Sequence, residues 1–412
     1  MSKVFTGQTV TFQALASTPG FSESAHSYSW NVDGTISGTN PTTASFATAG
    51  LRPATVTATN TTTGSTATAR TDVEVIANYW SESLACPYQM YAPVYAVLPN
   101  GNLFVCGDIS EYATCWETDG SSWVNRGTNP RPRYNENTSK NFIYPALNDG
   151  RIMVVGGRNS SNSYSHNVDF YDPSNNTWSA GPPTTLNHER ATNIHKLSDG
   201  RVLVMGDLAN PDRPEIYNPS TDSWSLGAPM PTGYTRSNWG TFLPLGDGKF
   251  LMISGAYTSK CCLYDAVTDA WSTPSSYPSG ISAVSVNPNG AVVGGKAYIW
   301  GMNGSPNRAM IYDIASNTCS MASTAFGNLF LGKCYPFNGG IWIDRMYLSN
   351  GSYSSVFYLP NSDTYILPAM LIPNIGGLYY WSATVGGRPF VFGSRNDASA
   401  PYQVATIFSS VL

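Results

Sequence analysis

The fold can be predicted from the segment Asp149-Gly150-Arg151-Ile152-Met153-Val154-Val155-Gly156-Gly157, followed by Tyr171 and Trp178, because the same residue pattern recurs along most of the chain. The Asp-Gly pair has the chemistry of a tight hairpin turn, and the apolar run after it is typical of a strand packed on both faces. Tyr171 and Trp178 enclose Asp-Pro-Ser-Asn-Asn, whose residues favour a tight turn. Each unit therefore predicts antiparallel strands joined by short turns, with large rings at equivalent positions.

Two marks of this unit repeat in phase. Glycine turns recur about 45 to 50 residues apart, at Asn100-Gly101, Asp149-Gly150, Asp199-Gly200, Asp247-Gly248, Gly294-Gly295, Gly339-Gly340 and Gly386-Gly387. Aromatic pairs or their substitutes stand seven residues apart, at Trp116…Trp123, Tyr171…Trp178, Tyr217…Trp224, Tyr264…Trp271, Tyr312…Cys319 and Tyr358…Tyr365. A constant period of this length predicts repeated units that bury their faces against one another.

The seven turns outnumber the six pairs, and this difference indicates how the repeat closes. The last unit runs out near Ala405-Thr406-Ile407-Phe408, without a final strand. Ahead of the first unit, Tyr79-Trp80-Ser81-Glu82 matches Thr177-Trp178-Ser179-Ala180. We therefore expect residues 78–84 to supply the outer strand of the last blade, which hides the edges of a closed ring.

The repeat resembles the kelch motif, in its di-glycine and in the tyrosine and tryptophan spaced after it. Residues 78–412 are accordingly similar to a propeller of the galactose-oxidase-like superfamily. The second to fourth units fit best, whereas the sixth, with Leu348-Ser349-Asn350-Gly351, is degenerate. The resemblance implies a seven-bladed kelch β-propeller.

Residues 1–77 have a different composition, with few charged residues and with alternating runs at residues 9–14 and 54–59. Short alternating strands at close spacing predict a β-sandwich. Tyr28-Ser29-Trp30-Asn31-Val32-Asp33-Gly34 resembles a stretch of PKD-type immunoglobulin-like domains, which are usually spacers or adhesion modules. The predicted fold class is all-β, with an N-terminal immunoglobulin-like β-sandwich and then the propeller.

Composition excludes several classes of function. Only 12% of residues are charged and the formal net charge is −4, so no general attraction to nucleic acid or anionic membrane is expected. No apolar run is long enough to span a bilayer, and the first residues lack the pattern of a signal peptide. We therefore expect synthesis in a cytosol.

The seven cysteines are an odd number without zinc-type spacing, so they predict neither a disulfide framework nor a metal site. Mostly free, buried thiols are expected. Two bridges stay open: Cys106 with Cys115 across a predicted hairpin, and Cys261 with its neighbour Cys262.

Known enzymes of the superfamily are copper–radical oxidases, which bind copper with two histidines and two tyrosines, one of them joined to a cysteine. This chain has four histidines, His26, His166, His188 and His195, and no Tyr-His dipeptide. His188 and His195 fall near one blade entrance, but isolated histidines are more often structural. We predict no metal site and no cofactor.

Other catalytic sets are also missing from the sequence. Nucleophile elbows, phosphate-binding glycine loops and zinc-protease motifs do not occur. Nothing singles out a carboxylate pair for glycoside hydrolysis among Asp108, Glu111, Asp207 and Glu215. We predict no catalytic residue.

In a propeller, the loops that enter each blade share one face with the loops between the second and third strands. Arg133, Arg190 and Arg236 stand at equivalent places entering successive blades. Aromatic rings suit sugars and guanidinium groups suit carboxylates, so this face is a candidate binding surface. The candidate ligand-binding residues are Arg133, Tyr134, Arg158, Tyr164, Arg190, Arg236, Trp239 and Tyr257. The alternative is that the arginines brace the loops through carbonyl groups.

Adhesion-type modules without an export signal suggest a bacteriophage virion protein, made in the host cytosol and released by lysis. The expected function is a non-enzymatic decoration, collar or tail protein whose partners are other virion proteins or host cell-surface glycans. Nucleic acid and membrane insertion are not expected, and a homo-oligomer on the particle is compatible with the sequence. The alternatives are a secreted galactose-oxidase-like enzyme and a bacterial carbohydrate-binding adhesin.

Overall fold

The computed structural model confirms an all-β chain: among the residues it describes, regular structure consists of strands apart from one 3₁₀ turn, Glu23–Ala25. No helix in the described part of the chain is long and apolar enough to cross a membrane. The structure describes residues 2–5, 9–17, 19, 22–48, 50–76, 79–85, 93–107, 113–132, 143–157, 165–186, 188, 193–205, 213–231, 241–253, 261–274, 289–300, 308–325, 329–330, 333–337, 339–347, 353–366, 380–394 and 403–409.

The chain divides into two compact units, one containing Met1–Ser81 and the other containing Glu82–Leu367 and Leu371–Ile407. The strands of the N-terminal unit are β1 (Ser2–Phe5), β2 (Thr9–Phe12), β3 (His26–Val32), β4 (Thr35–Ser37), β5 (Thr42–Ser45), β6 (Gly50–Asn60) and β7 (Thr66–Ile76). They form one sheet in the order β1-β7-β6-β3-β4 and a second sheet, β2-β5.

The two N-terminal sheets share one apolar core. Trp30 of β3 packs against Phe12 of β2, with ring centroids 5.7 Å apart, and both side chains are buried. Val56 and Val73 of the larger sheet belong to the same cluster. Alternate residues of these strands face that core, as period-two patterning requires. The unit is therefore a small β-sandwich, and its PKD-type kinship stays a prediction.

The strands that follow repeat in groups of four. Their bounds are β8 (Tyr79–Ala85), β9 (Val94–Val97), β10 (Leu103–Cys106), β11 (Thr114–Thr118), β12 (Trp123–Thr128), β13 (Ile152–Val155), β14 (Val168–Asp172), β15 (Thr177–Gly181), β16 (Asn193–Lys196), β17 (Val202–Met205), β18 (Pro214–Asn218), β19 (Ser223–Leu226), β20 (Thr241–Gly246), β21 (Lys249–Ile253), β22 (Cys261–Asp265), β23 (Ala270–Ser272), β24 (Asn289–Val293), β25 (Lys296–Trp300), β26 (Arg308–Asp313), β27 (Thr318–Ala325), β28 (Leu329–Phe330), β29 (Cys334–Phe337), β30 (Gly340–Tyr347), β31 (Tyr353–Leu359), β32 (Thr364–Ile366), β33 (Tyr380–Val385), β34 (Arg388–Ser394) and β35 (Gln403–Ser409).

Within the described residues these strands form seven sheets. Six are β9–β12, β13–β15, β16–β19, β20–β23, β24–β27 and β28–β32, each built from strands consecutive in the chain. The seventh has the order β33-β34-β35-β8, so its outer strand precedes the first sheet in the sequence. The second sheet has three strands because residues 143–147 make only isolated bridges, and Pro145 has no N–H to donate there.

Side chains join each sheet to the next around the repeat. Phe104 of the first sheet stacks on Tyr171 of the second, with ring centroids 4.1 Å apart. The third to sixth sheets share successive apolar clusters, and hydrogen bonds join the sixth to the seventh. The seventh sheet packs against the first, where Tyr95 lies edge-on to Phe392 at 5.4 Å between centroids. The seven sheets therefore close into a propeller ring.

The repeated tyrosine and its partner face each other across the outer two strands, as Tyr217 and Trp224 do. The Tyr217 hydroxyl donates a 2.7 Å hydrogen bond to Asp222, which adopts a left-handed φ of 48° in the turn. Aspartate and asparagine tolerate this conformation better than most residues. The same tyrosine-to-turn bond occurs from Tyr171, Tyr264, Tyr312 and Tyr358 to the Asn or Asp five residues later.

The first sheet departs from the expected equivalence. Trp116 pairs with Asn125, and Trp123 pairs with Thr118, so the two rings do not face each other. Glu117 occupies the position that the tyrosine holds elsewhere, and it accepts hydrogen bonds from Asn102 and Arg126. The seven-residue spacing correctly predicts a sheet here. However, Trp116 and Trp123 each lie one residue before the positions that face each other in the other sheets.

Of the two disulfides that the sequence leaves open, the first is present and the second is not. Cys106 and Cys115 face each other on β10 and β11 and form a disulfide. Cys261 and Cys262 are free and buried. Cys319 and Cys334 form no disulfide.

Candidate functional site

All eight predicted ligand-binding residues lie outside the described residues: Arg133, Tyr134, Arg158, Tyr164, Arg190, Arg236, Trp239 and Tyr257. Their convergence on one face therefore stays a prediction. Asp108, Glu111 and Asp207, three of the four acidic residues named above, lie outside the described residues as well.

Two described arginines on the same loops brace the fold. Arg131, just after β12, pairs with the buried carboxylate of Asp169 on β14 through Nε at 2.8 Å. Arg213, just before β18, donates from Nε to the carbonyl oxygen of Gly227 at 2.9 Å. Both bonds tie a loop to a neighbouring strand or turn. Neither residue belongs to the predicted ligand-binding set, so the bracing alternative for Arg133, Arg190 and Arg236 stays a prediction.

Glu215 on β18 is the centre of a buried polar junction at the entrance to the third sheet. Its carboxylate accepts hydrogen bonds from the N–H groups of Thr185 at 2.6 Å and Leu186 at 3.0 Å. His188 Nε2 lies 2.9 Å from Glu215 Oε2, and both side chains are essentially unexposed. Burial opposes ionisation, but the bonds from His188, Thr185 and Leu186 hold the pKa of Glu215 below its usual value. Glu215 is thus an ionised anchor for the loop before β16.

The loop before β16 also approaches the second sheet, at the pair of glycines that follows β13. Gly157 N–H donates to the carbonyl oxygen of His188 at 3.1 Å. Gly156 has a φ of +68°, and a Cβ added there would overlap that carbonyl group. The di-glycine of this unit therefore has a steric reason: it admits the backbone of the next blade's entrance loop.

His195 on β16 is held separately from His188. Its Nε2 lies 3.0 Å from the carbonyl oxygen of Phe242. A carbonyl oxygen only accepts, so Nε2 carries the proton and Nδ1 does not. Burial lowers the pKa of His195 to about 4, with a further lowering by the charge of Lys333. The imidazole is therefore neutral at pH 7.

The histidines do not fit a copper site of the kind described above. His26 lies in the N-terminal sandwich, and His166 Nδ1 bonds the carbonyl oxygen of Thr184 at 3.0 Å. His188 and His195 are each bound to a different strand, β18 and β20. Within the described part of the chain, no three residues among His, Cys, Asp and Glu are grouped as metal ligands.

A second polar junction, which sequence reasoning missed, joins the sixth and seventh sheets. Asp344 on β30 is fully buried; its Oδ1 accepts the backbone N–H of Lys333 at 2.6 Å, and its Oδ2 contacts the hydroxyl of Ser382 on β33. Tyr335 on β29 donates to the carbonyl oxygen of Ser382 at 2.7 Å. In the sequence, the sign of this junction is a few charged residues, Lys333, Asp344 and Arg345, in a stretch rich in apolar residues.

Comparison with protein families agrees with this geometry. Residues 146–185 match the Kelch motif. The matched Kelch unit runs from the irregular inner segment of the second sheet past β15, and it contains Gly156, Gly157, Tyr171 and Trp178. A search of curated protein sequences finds no match.

One solved structure shows a similar fold at low identity. A novel fungal alcohol oxidase of the AA5 family, solved in complex with copper, is 14% identical with a TM-score of 0.58, over 81% of this chain and 76% of its own. The structure of YjhT is 13% identical with a TM-score of 0.49, over 70% of this chain and 99% of its own. At such identities the oxidase supports the fold alone.

Proposed function

We propose that this chain is a non-enzymatic binding protein of a bacteriophage particle, which uses the loop face of its propeller to contact host glycan or a neighbouring virion protein. The hydrogen-bond partners of the described acidic and basic side chains support the non-enzymatic part of this proposal. The described acids and bases near this face, such as Glu215 with His188 and Arg131 with Asp169, are bound to one another or to backbone groups. Such groups fix loops, which is what a binding face needs.

Composition and module order support the particle as its setting. The chain is poor in charge and rich in Gly, Thr, Asn and Tyr, and a small β-sandwich precedes the propeller. These traits resemble those of phage tail, collar and decoration proteins. The sandwich would dock to or extend from the particle, and the propeller would present its loops.

Mass spectrometry of purified phage particles tests whether this chain is a particle protein. The proposal expects the chain as a stoichiometric component, and its absence from particles would contradict the proposal.

A glycan array of bacterial surface polysaccharides, together with binding to purified particle proteins, tests whether the loop face of the propeller binds a ligand. Joint substitution of Arg133, Arg190 and Arg236 by Ala should weaken whichever interaction is found at least about tenfold. Arg70→Ala, on the exposed side of the N-terminal sandwich, is the matched control and should bind as the unaltered chain does.

The second candidate is a galactose-oxidase-like enzyme, favoured by the similarity to the copper-bound alcohol oxidase over 81% of this chain. The arrangement of the four histidines argues against it. Metal analysis after copper loading and peroxide release on a panel of sugars and alcohols distinguish the two. Stoichiometric copper with substrate-dependent peroxide would replace the binding proposal.

A further inference from the structure

The fifth sheet has a cysteine where other sheets have the tryptophan of the repeat. Cys319 on β27 pairs with Tyr312, in the register in which Trp271 pairs with Tyr264 in the fourth sheet. A cysteine side chain is much shorter than an indole, so it cannot make the contacts that the ring makes elsewhere. The fifth sheet therefore meets its neighbour differently at this position.

The tryptophan of the repeat reaches the preceding sheet. Trp271 Nε1 donates a 2.9 Å hydrogen bond to the carbonyl oxygen of Ala228, which follows β19 of the third sheet. The N–H of Gly227, next to Ala228, donates at 2.9 Å to the carbonyl oxygen of Pro214, the first residue of β18. A side chain at the tryptophan position therefore points toward the start of the third strand of the preceding sheet.

Cys261 occupies the equivalent start in the fourth sheet. It pairs with Ile253, the last residue of β21, as Pro214 pairs with Met205, the last residue of β17. Cys261 and Cys319 also pack in one apolar cluster of the fourth and fifth sheets. The two thiols are hydrogen-bonded to each other. The geometry of the repeat and the direct contact therefore agree.

Cys262, the neighbour of Cys261 in the sequence, faces away from this contact. Successive side chains of a strand point to opposite faces of its sheet. Cys262 accordingly belongs to the cluster of the third and fourth sheets, whereas Cys261 belongs to the cluster of the fourth and fifth. Among the described residues, Cys319 is thus the thiol that meets Cys261.

We propose that Cys261 and Cys319 are a redox modification site, at which a low-molecular-weight disulfide such as glutathione disulfide oxidises the two thiols to a covalent link between the fourth and fifth sheets. Two hydrogen-bonded sulfur atoms need only a small shift to reach the bond length of about 2 Å. The chain already contains the Cys106–Cys115 disulfide, so an oxidising medium is compatible with its structure. The inference goes beyond the proposed function, because it concerns two sheets of the ring and stands whatever the loops bind.

The exchange proceeds in two steps that balance. The Cys319 thiolate attacks one sulfur of glutathione disulfide, which forms a mixed disulfide and releases one glutathione thiolate. Cys261 then gives up its proton, and its sulfur attacks the Cys319 sulfur and releases the second glutathione. The protein loses two electrons and two protons, and the small disulfide takes them up as two thiols.

The environments of the two thiols favour this order. Cys319 is half-buried, whereas Cys261 is only 3% exposed. The hydrogen bond from Cys261 holds the pKa of Cys319 below its usual value, and the same bond together with burial raises the pKa of Cys261. Since the thiolate is the attacking form, Cys319 reacts first and Cys261 completes the bond.

Peptide mass spectrometry without reduction tests the link in the full chain, purified with both thiols reduced and then treated with glutathione disulfide. The expected product is a peptide pair joined through Cys261 and Cys319. Fragmentation between Cys261 and Cys262 identifies which of the two sulfur atoms is bonded. No linked product, glutathione retained on Cys319, or a bond that involves Cys262 would overturn the proposal.

Thermal unfolding gives a second measurement. A link between two sheets constrains the unfolded chain, so treatment should raise the unfolding midpoint of the unaltered protein by at least about 3 °C. Cys319→Ser should abolish this rise. Ser320→Ala, at the exposed neighbouring residue of β27, is the matched control and should keep it. An equal rise in the Cys319→Ser protein would show that the stabilisation arises elsewhere and would contradict the site.

Discussion

Glu215 carries three hydrogen bonds on one carboxylate and has no exposed surface, so water cannot replace a bond that is lost. Removal of one partner from a buried junction costs the full desolvation of the groups left behind. Glu215 therefore holds Thr185, Leu186 and His188 against β18.

Glu215→Gln replaces one accepting oxygen by an NH₂ group that faces N–H donors. We expect a loss of about 2 to 4 kcal/mol in the free energy of unfolding at pH 7. Because the folded-state pKa is below the unfolded value, the carboxylate stabilises the fold above about pH 4.3 and this is lost as pH falls through the folded pKa. The free energy of unfolding, measured in urea from pH 3 to pH 7, should depend less on pH at the acidic end in the variant. Identical pH profiles would be inconsistent with the junction.

Gly156 and Gly294 provide a matched pair, with φ values of +68° and +58°. A Cβ at Gly156 meets the His188 carbonyl group, whereas one at Gly294 meets nothing within 4 Å. Gly294→Ala should therefore cost about 1 kcal/mol of stability, for the backbone alone. Gly156→Ala should cost about 2 kcal/mol more. Equal losses in denaturant unfolding would mean that the entrance loop does not approach the di-glycine.

At the scale of elements, the repeated hairpin explains why the aromatic spacing was informative. Tyr217 and Trp224 are opposite each other, and the tyrosine hydroxyl holds the turn that sets the spacing. Side-chain packing and turn chemistry thus act within about ten residues, a range over which sequence patterns are reliable. The first sheet was misregistered because Glu117, held by Asn102 and Arg126, substitutes a polar junction for the ring.

Tyr217→Phe should lower the free energy of unfolding by about 1.5 to 3 kcal/mol, since its hydroxyl bonds a carboxylate. Tyr95→Phe is the control, because its buried hydroxyl has no partner among the described residues, and it should be neutral or slightly stabilising. Chemical denaturation of the two variants measures both values. A larger loss for Tyr95→Phe than for Tyr217→Phe would refute the role given to the hairpin bond.

At the scale of the molecule, the sequence was enough for the all-β class and the repeated sheets, because each depends on a local period. It was not enough for the junction of Lys333, Asp344 and Ser382, which brings together residues of two sheets. Nor did it predict that Arg131 bonds Asp169, because this contact joins residues of two different sheets.

A strand from ahead of the first sheet completes the last one and closes the ring. Hydrogen–deuterium exchange in the full chain tests it through the double substitution of Ser83 and Leu84 by Pro in β8. Adjacent N–H groups point to opposite sides of a strand, so one of the two prolines must remove a bond to β35. Exchange should rise sharply in residues 403–409 and stay unchanged in β19, the outer strand of another sheet. Unchanged protection of residues 403–409 would contradict the closure.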